Sequence, residues 1–218
     1  MLPSCKSSSI VFIIVLLTAL LPPAYAADNT LLREALTLTP DPRAAEEIFE
    51  LCASCHGEDG FGLENGEYPS IAGQHQRVIL KQLLDIQAKI RINPTMFPFS
   101  DPETLGGLQG MSDIAAYAAE LAPNPNPVNG NGSRLDRGEN LYQTLCIACH
   151  GPQGQGEAER FYPRLTNQHF PYLVREMIWI RDKVRKNADP AMVEILAEFS
   201  KEDIQAVADY LSRIRHTP

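Results

Sequence analysis

The residues best placed to do chemistry are four cysteines and two histidines, which form two copies of the pattern Cys-x-x-Cys-His at 52–56 and 146–150. In this pattern two thiols can form thioethers with a haem, and the adjacent histidine can bind its iron. Two copies predict two covalent haem c groups. The predicted attachment residues and proximal ligands are Cys52, Cys55 and His56 in the first copy and Cys146, Cys149 and His150 in the second.

Two other kinds of site use paired cysteines. Two Cys-x-x-Cys pairs would suit a four-thiolate zinc site, but the histidine after each pair would then be a coincidence. A thioredoxin-like dithiol pair is expected in a βαβ unit, and no such pattern surrounds either copy. Covalent haem explains every residue of the pattern, so the predicted function is a redox function.

The N-terminal segment 1–26 has the features of an export signal. Lys6 gives a positive start, residues 10–21 form an apolar run, and the Ala-Tyr-Ala sequence at 24–26 resembles a cleavage site. A retained membrane anchor is the alternative, but this run is shorter than the roughly 20 residues that a spanning helix needs. Cleavage would remove Cys5 and leave only the cysteines of the two patterns. The predicted location is the periplasm or an equivalent compartment.

The chain is acidic, with a formal net charge of −8 over 218 residues. This charge argues against nucleic acid as a partner, because phosphates would repel it. It suits docking to a basic patch on a redox protein, although it would also serve solubility alone. No segment after the export signal is long and apolar enough to span a membrane. Docking at a membrane surface stays open.

The two patterns belong to an internal repeat with a fixed offset of 94 residues. The offset relates Tyr68-Pro69 to Tyr162-Pro163 and Gln74-His75 to Gln168-His169. It also relates two apolar stripes with the i, i+4, i+7, i+11 spacing of an amphipathic helix. These stripes are Ile79, Leu83, Ile86 and Ile90, and Leu173, Met177, Ile180 and Val184. A single offset across motif, turn and helix predicts two copies of one domain.

Each half is predicted to contain the same series of helices. A helix enters the haem motif, a glycine-rich loop follows it, an amphipathic helix comes next, and a last helix closes the half. The predicted ranges are 42–51, 75–91 and 113–121 in the first half and 134–145, 169–186 and 201–213 in the second. Asp41 before Pro42 is predicted to cap the first helix, and Ser200 with Asp203 to form a capping box.

The halves are predicted to be separate domains joined by a linker. Residues 123–133 contain three prolines followed by glycines and asparagines, a composition typical of linkers. The predicted organisation is an export signal at 1–26, a first domain at 27–122, this linker, and a second domain at 134–218. No convincing strand pattern occurs in either half, so the predicted fold class is all-α.

Each iron needs a second axial ligand. A methionine there gives an electron-transfer centre, whereas an open position allows chemistry on a small molecule. Met96 and Met192 follow the amphipathic helix of their halves in the same polar-Pro-small-Met pattern, 40 and 42 residues after the proximal histidine. They are the predicted distal ligands. Met111 is the rival of Met96, because the first half has a six-residue insertion before its last helix.

Other side chains could also act at the iron. His75 and His169 offer bis-histidine ligation, but each opens an amphipathic helix and has a methionine candidate downstream. A surface position or a contact with a haem propionate is predicted for them instead. A carbonyl near Pro69 and Pro163 could accept the Nδ1–H bond of the proximal histidine. A purely loop-shaping role is the alternative for these prolines.

These features together resemble the dihaem cytochrome c4 family of the class I cytochromes c. The resemblance covers about residues 43–213, with both haem motifs, the Tyr-Pro and Gln-His pairs and the downstream methionines, and the export signal before this range is a further shared feature. It implies two helical haem domains related by a pseudo-twofold axis, with haem propionates near the domain interface and His/Met ligation in both. It also implies that the carbonyls of Pro69 and Pro163 bond the proximal histidines. The loop 97–112 is longer than the family pattern.

The expected function is electron transfer in the periplasm. The expected partners are a terminal oxidase, a cytochrome bc complex or a periplasmic dehydrogenase. The first alternative is a cytochrome subunit of a dehydrogenase complex, for example of the flavocytochrome type. The second is a dihaem enzyme with one open iron, for which the sequence offers no catalytic residue.

Overall fold

The computed structural model describes residues 29–215, and the predicted export signal at 1–26 lies outside them. In the described part the chain forms α-helices, two short 3-10 helices at Phe97–Ser100 and Ala158–Arg160, and one isolated bridge between Glu157 and Tyr162. The all-α prediction is confirmed. The helices are α1 (Asn29–Ala35), α2 (Glu46–His56), α3 (Gln76–Gln87), α4 (Pro102–Leu105), α5 (Gly107–Glu120), α6 (Leu135–Leu145), α7 (Ile147–His150), α8 (Phe170–Arg181), α9 (Pro190–Ala197) and α10 (Lys201–Arg213).

Local capping explains where helices begin. Ser200 and Asp203 form the predicted capping box at the start of α10, with each side chain accepting the backbone N–H of the other residue. The prediction for Asp41 is only partly right. Its carboxylate accepts two backbone N–H groups of the next turn, but residues 42–45 form turns and α2 begins at Glu46.

Both amphipathic helices end earlier than predicted. α3 ends at Gln87 and α8 at Arg181, because Lys89 and Lys183 adopt left-handed backbone conformations with φ of 58° and 57°. A residue in that conformation cannot continue a right-handed helix. These two lysines are 94 residues apart, so the repeat extends to the way in which the helices end.

The insertion of the first half is helical. α4 begins at Pro102 after the Asp101 cap and ends at Leu105, before Gly106, which has a φ of 81°. α5 then begins at Gly107, six residues before the predicted start. Met111 consequently lies inside α5 and is fully buried.

The helices enclose two apolar clusters, one in each half. α5 packs against α2 and α3, and α10 packs against α6 and α8. The first cluster includes Leu80, Leu84, Leu105, Met111 and Ile114, and the second includes Tyr142, Leu173, Met177, Ile204 and Leu211. Met177 therefore packs in the core, as its place in the stripe predicted. The separate clusters support the proposed domains at 27–122 and 134–218, with 123–133 as the linker.

Reciprocal hydrogen bonds join the two halves. The Gln74 side chain donates to the carbonyl of Arg164 and accepts its N–H, both at 2.9 Å. The Gln168 side chain makes the same pair of bonds with Ser70, at 2.8 and 3.0 Å. Ser70 and Arg164 are 94 residues apart, as are the two glutamines. The interface therefore obeys a pseudo-twofold relation between the copies.

The histidines after these glutamines extend the same interface. His75 Nε2 lies 2.7 Å from the carbonyl of Gln155, and His169 Nε2 lies 2.8 Å from the carbonyl of Phe61. The Val128 N–H donates to Nδ1 of His169, which fixes the Nε2–H tautomer. A surface position, one of the two predicted alternatives, is wrong for His169, which is buried because it bridges the two halves; a contact with a haem propionate stays a prediction. We call these glutamine and histidine contacts the Gln–His clasp.

None of the helices within residues 29–215 has the length and apolar character needed to cross a lipid bilayer.

Candidate haem sites

Both haem motifs end on a buried histidine at the C-terminus of a helix. In the first half the motif forms the last turns of α2. In the second half Cys146 interrupts the helix between α6 and α7, and the motif ends α7. His56 and His150 are both buried, and Gly57 and Gly151 follow them with φ of 79° and 76°. The chain thus turns away directly after each candidate ligand.

A proline carbonyl orients each buried histidine. Nδ1 lies 2.9 Å from the Pro69 carbonyl in His56 and 3.1 Å from the Pro163 carbonyl in His150. A carbonyl oxygen can only accept, so Nδ1 carries the proton and Nε2 keeps its lone pair. This is the tautomer that an imidazole needs in order to bind iron through Nε2. The geometry supports the roles proposed for both prolines.

The environment keeps these imidazoles neutral. Burial lowers the pKa of His56 and His150 below the ordinary value, and the hydrogen bond to the proline carbonyl only partly opposes this effect. Since a protonated imidazole cannot bind a metal, a lowered pKa suits a ligand.

The first cysteine of each motif is a largely buried thiol that stays protonated at neutral pH. Burial raises the pKa of Cys52 and of Cys146 to about 11. The four cysteines of the two motifs are free, and no group of three or more His, Cys, Asp or Glu side chains in the described range could hold a metal ion. A four-thiolate zinc site would need both pairs together. The donor set instead fits a haem in each half, with thiols available for thioether bonds and one neutral imidazole.

In each half one glycine, Gly62 or Gly156, allows the Tyr-Pro segment to approach the motif histidine closely. This role was not predicted from the sequence. A Cβ at Gly62 would lie 2.3 Å from the Tyr68 carbonyl, and one at Gly156 would lie 2.4 Å from the Tyr162 carbonyl. Both glycines have positive φ, and each donates its N–H to the carbonyl of the motif histidine. The sequence places both in the glycine-rich loop after each motif, and the Gly-x-Gly sequence repeated at the 94-residue offset is the signal for this further role.

The candidate distal ligands occupy matching places. The Asn93 side chain accepts the N–H of Met96, and the Asp189 side chain caps α9, on which Met192 lies. Each methionine is partly buried and packs against the apolar cluster of its own half. A distal ligand must reach the haem, so the fully buried Met111 is the weaker candidate in the first half. Met96 and Met192 remain the proposed ligands.

The loops after the two haem motifs differ in charge. The first loop carries four exposed acidic residues that take part in none of the ion pairs of the described chain: Glu58, Asp59, Glu64 and Glu67. In the second loop Glu157 pairs with Arg160 at 3.4 Å, and Glu159 pairs with Arg77 at 3.2 Å. The surface beside the first motif is therefore negative, whereas that beside the second is nearly neutral.

Comparisons with known proteins agree with this geometry. The family model described as cytochrome c oxidase, cbb3-type, subunit III matches residues 133–211. Cytochrome c4 of Azotobacter vinelandii is 31% identical, with 78% of this chain and 88% of that protein covered. The thiosulfate dehydrogenase electron acceptor of Stutzerimonas stutzeri (strain A1501) is 34% identical, with coverages of 75% and 78%. The crystal structure of reduced recombinant cytochrome c4 from Pseudomonas stutzeri matches with a TM-score of 0.71 and 28% identity, covering 81% of this chain and all of that chain.

Proposed function

The chain belongs to the cytochrome c4 family, as a dihaem electron-transfer cytochrome with covalently bound haem c, and we propose that it carries electrons between respiratory donors and acceptors in the periplasm. The observation that carries this proposal is the repeated histidine geometry. Both halves present a buried, neutral imidazole whose Nδ1–H is fixed by a proline carbonyl. Two equivalent centres suit a carrier better than an enzyme, because an enzyme needs one iron with an open position for its substrate.

Each half would hold its haem with its own residues. Haem supplies one-electron redox chemistry when it is bound. The proposed thioether residues are Cys52, Cys55, Cys146 and Cys149, and the proposed axial ligands are His56 with Met96 and His150 with Met192. The carbonyls of Pro69 and Pro163 would fix the imidazole planes and raise their basicity, which tunes the iron.

The charge of the first loop supports a particular kind of partner. Its four acidic side chains would attract a redox protein with a basic docking surface and would speed the encounter at low ionic strength. A terminal oxidase, a cytochrome bc complex or a periplasmic dehydrogenase are the proposed partners. The periplasmic location rests on the export signal proposed at 1–26.

A more specialised role is the second candidate. The relative named as a thiosulfate dehydrogenase electron acceptor is 34% identical to this chain and favours service to one dehydrogenase. A dedicated acceptor would be reduced much faster by its own dehydrogenase than by other donors. Comparing the reduction rates with several periplasmic donors separates it from a general carrier.

Carbon monoxide binding tests the carrier proposal directly. If a methionine closes both centres, carbon monoxide added to the fully reduced protein leaves the visible spectrum unchanged. A shift in about half of the haem would reveal an open centre and favour the enzyme alternative.

Met111→Leu tests the ligand assignment, since both haem spectra should stay the same. Loss of a methionine-ligated signal would transfer that role from Met96 to Met111.

A further inference from the structure

A cavity of about 440 Å³ lies where the two halves meet, beside the segments that follow α3 and α8. Arg91 and Ile92 contribute to it from the first half, and Arg185 and Lys186 contribute from the second. The 94-residue offset relates Arg91 to Arg185 and Ile92 to Lys186. Equivalent segments of the repeat thus face each other, and a single-domain protein could not form this cavity.

Positive charge is in excess beneath the cavity. The buried carboxylate of Glu176 has three guanidinium partners, with N–O distances of 2.8 Å to Arg185, 3.2 Å to Arg91 and 3.4 Å to Arg175. One carboxylate cannot neutralise three guanidinium groups. Lys186 is exposed and takes part in none of the ion pairs found in residues 29–215, so its charge adds to the excess.

Neighbouring polar groups do not remove this excess. Gln82, the counterpart of Glu176 in the repeat, is neutral and accepts hydrogen bonds from Arg91 at 2.9 Å and Arg185 at 3.0 Å. The charge of Asp85 is matched by its ion pair with Lys81. The cluster is therefore strongly positive in a chain whose net charge is −8.

The other side of the cavity is apolar and open to solvent. Ile92 is 64% exposed, Val184 54% and Trp179 38%, which places them among the most exposed large hydrophobic side chains in the described part. The Arg175 guanidinium lies 4.8 Å from the centre of the Trp179 ring and holds the ring in place. Together they form an apolar wall that could take the hydrocarbon part of a ligand.

We propose that the cavity binds an anionic amphiphile, with a phosphate or carboxylate head group beside Lys186 and an apolar chain on an apolar wall. The apolar wall is Ile92, Trp179 and Val184, and the guanidinium groups of Arg91 and Arg185, whose side chains are only 13% and 18% exposed, lie beneath the cavity. Lys186 is the exposed cation that can donate a charge-assisted hydrogen bond to the head group, and the buried guanidinium groups add positive potential. The volume is within the range of small-molecule sites. The site uses none of the proposed haem ligands, so it would add a binding function to electron transfer.

Calorimetric titration of the mature dihaem protein with short-chain phospholipids, kept monomeric, tests the proposal. Dihexanoyl phosphatidylglycerol should bind, whereas dihexanoyl phosphatidylcholine, with the same chains and no net charge, should bind at least about tenfold more weakly. Lys186→Gln should weaken phosphatidylglycerol binding by about tenfold. Lys183→Gln is the matched control, since Lys183 is an exposed lysine nearby that does not line the cavity.

The outcomes separate the proposal from its competitors. Equal binding of the two lipids, or no binding of phosphatidylglycerol, would overturn it. An equal effect of both lysine substitutions would also overturn it, because general surface charge would then explain the binding. Sedimentation with phosphatidylglycerol vesicles identifies the source of the ligand. Binding to vesicles and monomers supports a membrane lipid, and binding to monomers alone supports a free amphiphile. An unchanged haem spectrum throughout would show that the lipid binds away from the haem sites, so this test and the carbon monoxide test can fail separately.

Discussion

The Gln–His clasp should be a main source of stability for the joined domains, and Gln168→Ala tests this. Gln168 is only 8% exposed to solvent. Its side chain accepts a hydrogen bond from the N–H of the buried Ser70 and donates one to the Ser70 carbonyl. Truncation would leave three buried backbone groups without this partner, the N–H and carbonyl of Ser70 and the N–H of His169, each at a cost of about 1–3 kcal/mol. We expect a loss of about 3 kcal/mol after partial entry of water.

The matched substitution is Gln74→Ala, which removes the equivalent bonds to Arg164. Gln74 is only half-buried, so water can replace its bonds and the expected loss is about 1 kcal/mol. Thermal unfolding of the dihaem protein measures both. At roughly 2–4 °C per kcal/mol for a chain of this size, Tm should fall by about 6–12 °C for Gln168→Ala and 2–4 °C for Gln74→Ala.

An exposed glutamine on α10 supplies the control. Gln205→Ala should leave Tm unchanged within about 1 °C, because a surface substitution of this kind costs at most a few tenths of a kcal/mol. If Gln168→Ala lowers Tm no more than Gln74→Ala does, burial does not determine the strength of the clasp and the reasoning fails.

Three further predictions concern the ligands and the ion pairs. Met192→Ala should lower one of the two midpoint potentials in a redox titration and leave the other nearly unchanged; an unchanged pair would refute the ligand assignment. The hydrogen bond from Arg137 holds the pKa of Asp203 below its usual value, so its stabilising effect is complete above the unfolded-state pKa and is lost as the pH falls through the folded-state pKa. Asp203→Asn should therefore lower Tm at pH 7 by a few degrees but not near pH 2, and an equal loss at both values would contradict this. Glu176→Gln should destabilise the protein by about 3 kcal/mol, because buried guanidinium groups lose their carboxylate, whereas Gln82→Glu should be tolerated because it adds a second carboxylate beside them; urea unfolding measures both, and the reverse order would refute the charge argument.

The sequence predicts those features that depend on local signals. The capping box of α10 is set by two residues only three positions apart in the chain, and its helix has the predicted bounds. The short helices α4 and α9 were both missed, although each has a local signal, an aspartate cap followed by proline, at Asp101 and at Asp189. The early ends of α3 and α8 have no such signal, because lysine is not a residue that favours positive φ.

Features that depend on the assembled chain could not be predicted in the same way. The repeat identified Gln168 and His169 as equivalent to Gln74 and His75, but their partners lie about a hundred residues away in the chain. The period of the apolar residues shows which face of each helix is buried. It does not show which residues of the other half contact that helix. His169, next to a helix start, therefore resembled a surface residue, although the first half covers it.

The Gln–His clasp has a consequence for the origin of the chain. Because the contacts are reciprocal, each half carries both the donors and the acceptor carbonyls that its counterpart uses. A half on its own thus has what it needs to pair with a second copy of itself. Such a homodimer, encoded once and then fused head to tail by gene duplication, would give this architecture. Later changes in one copy only, such as glutamate at 176 opposite glutamine at 82, could then make the two halves unequal.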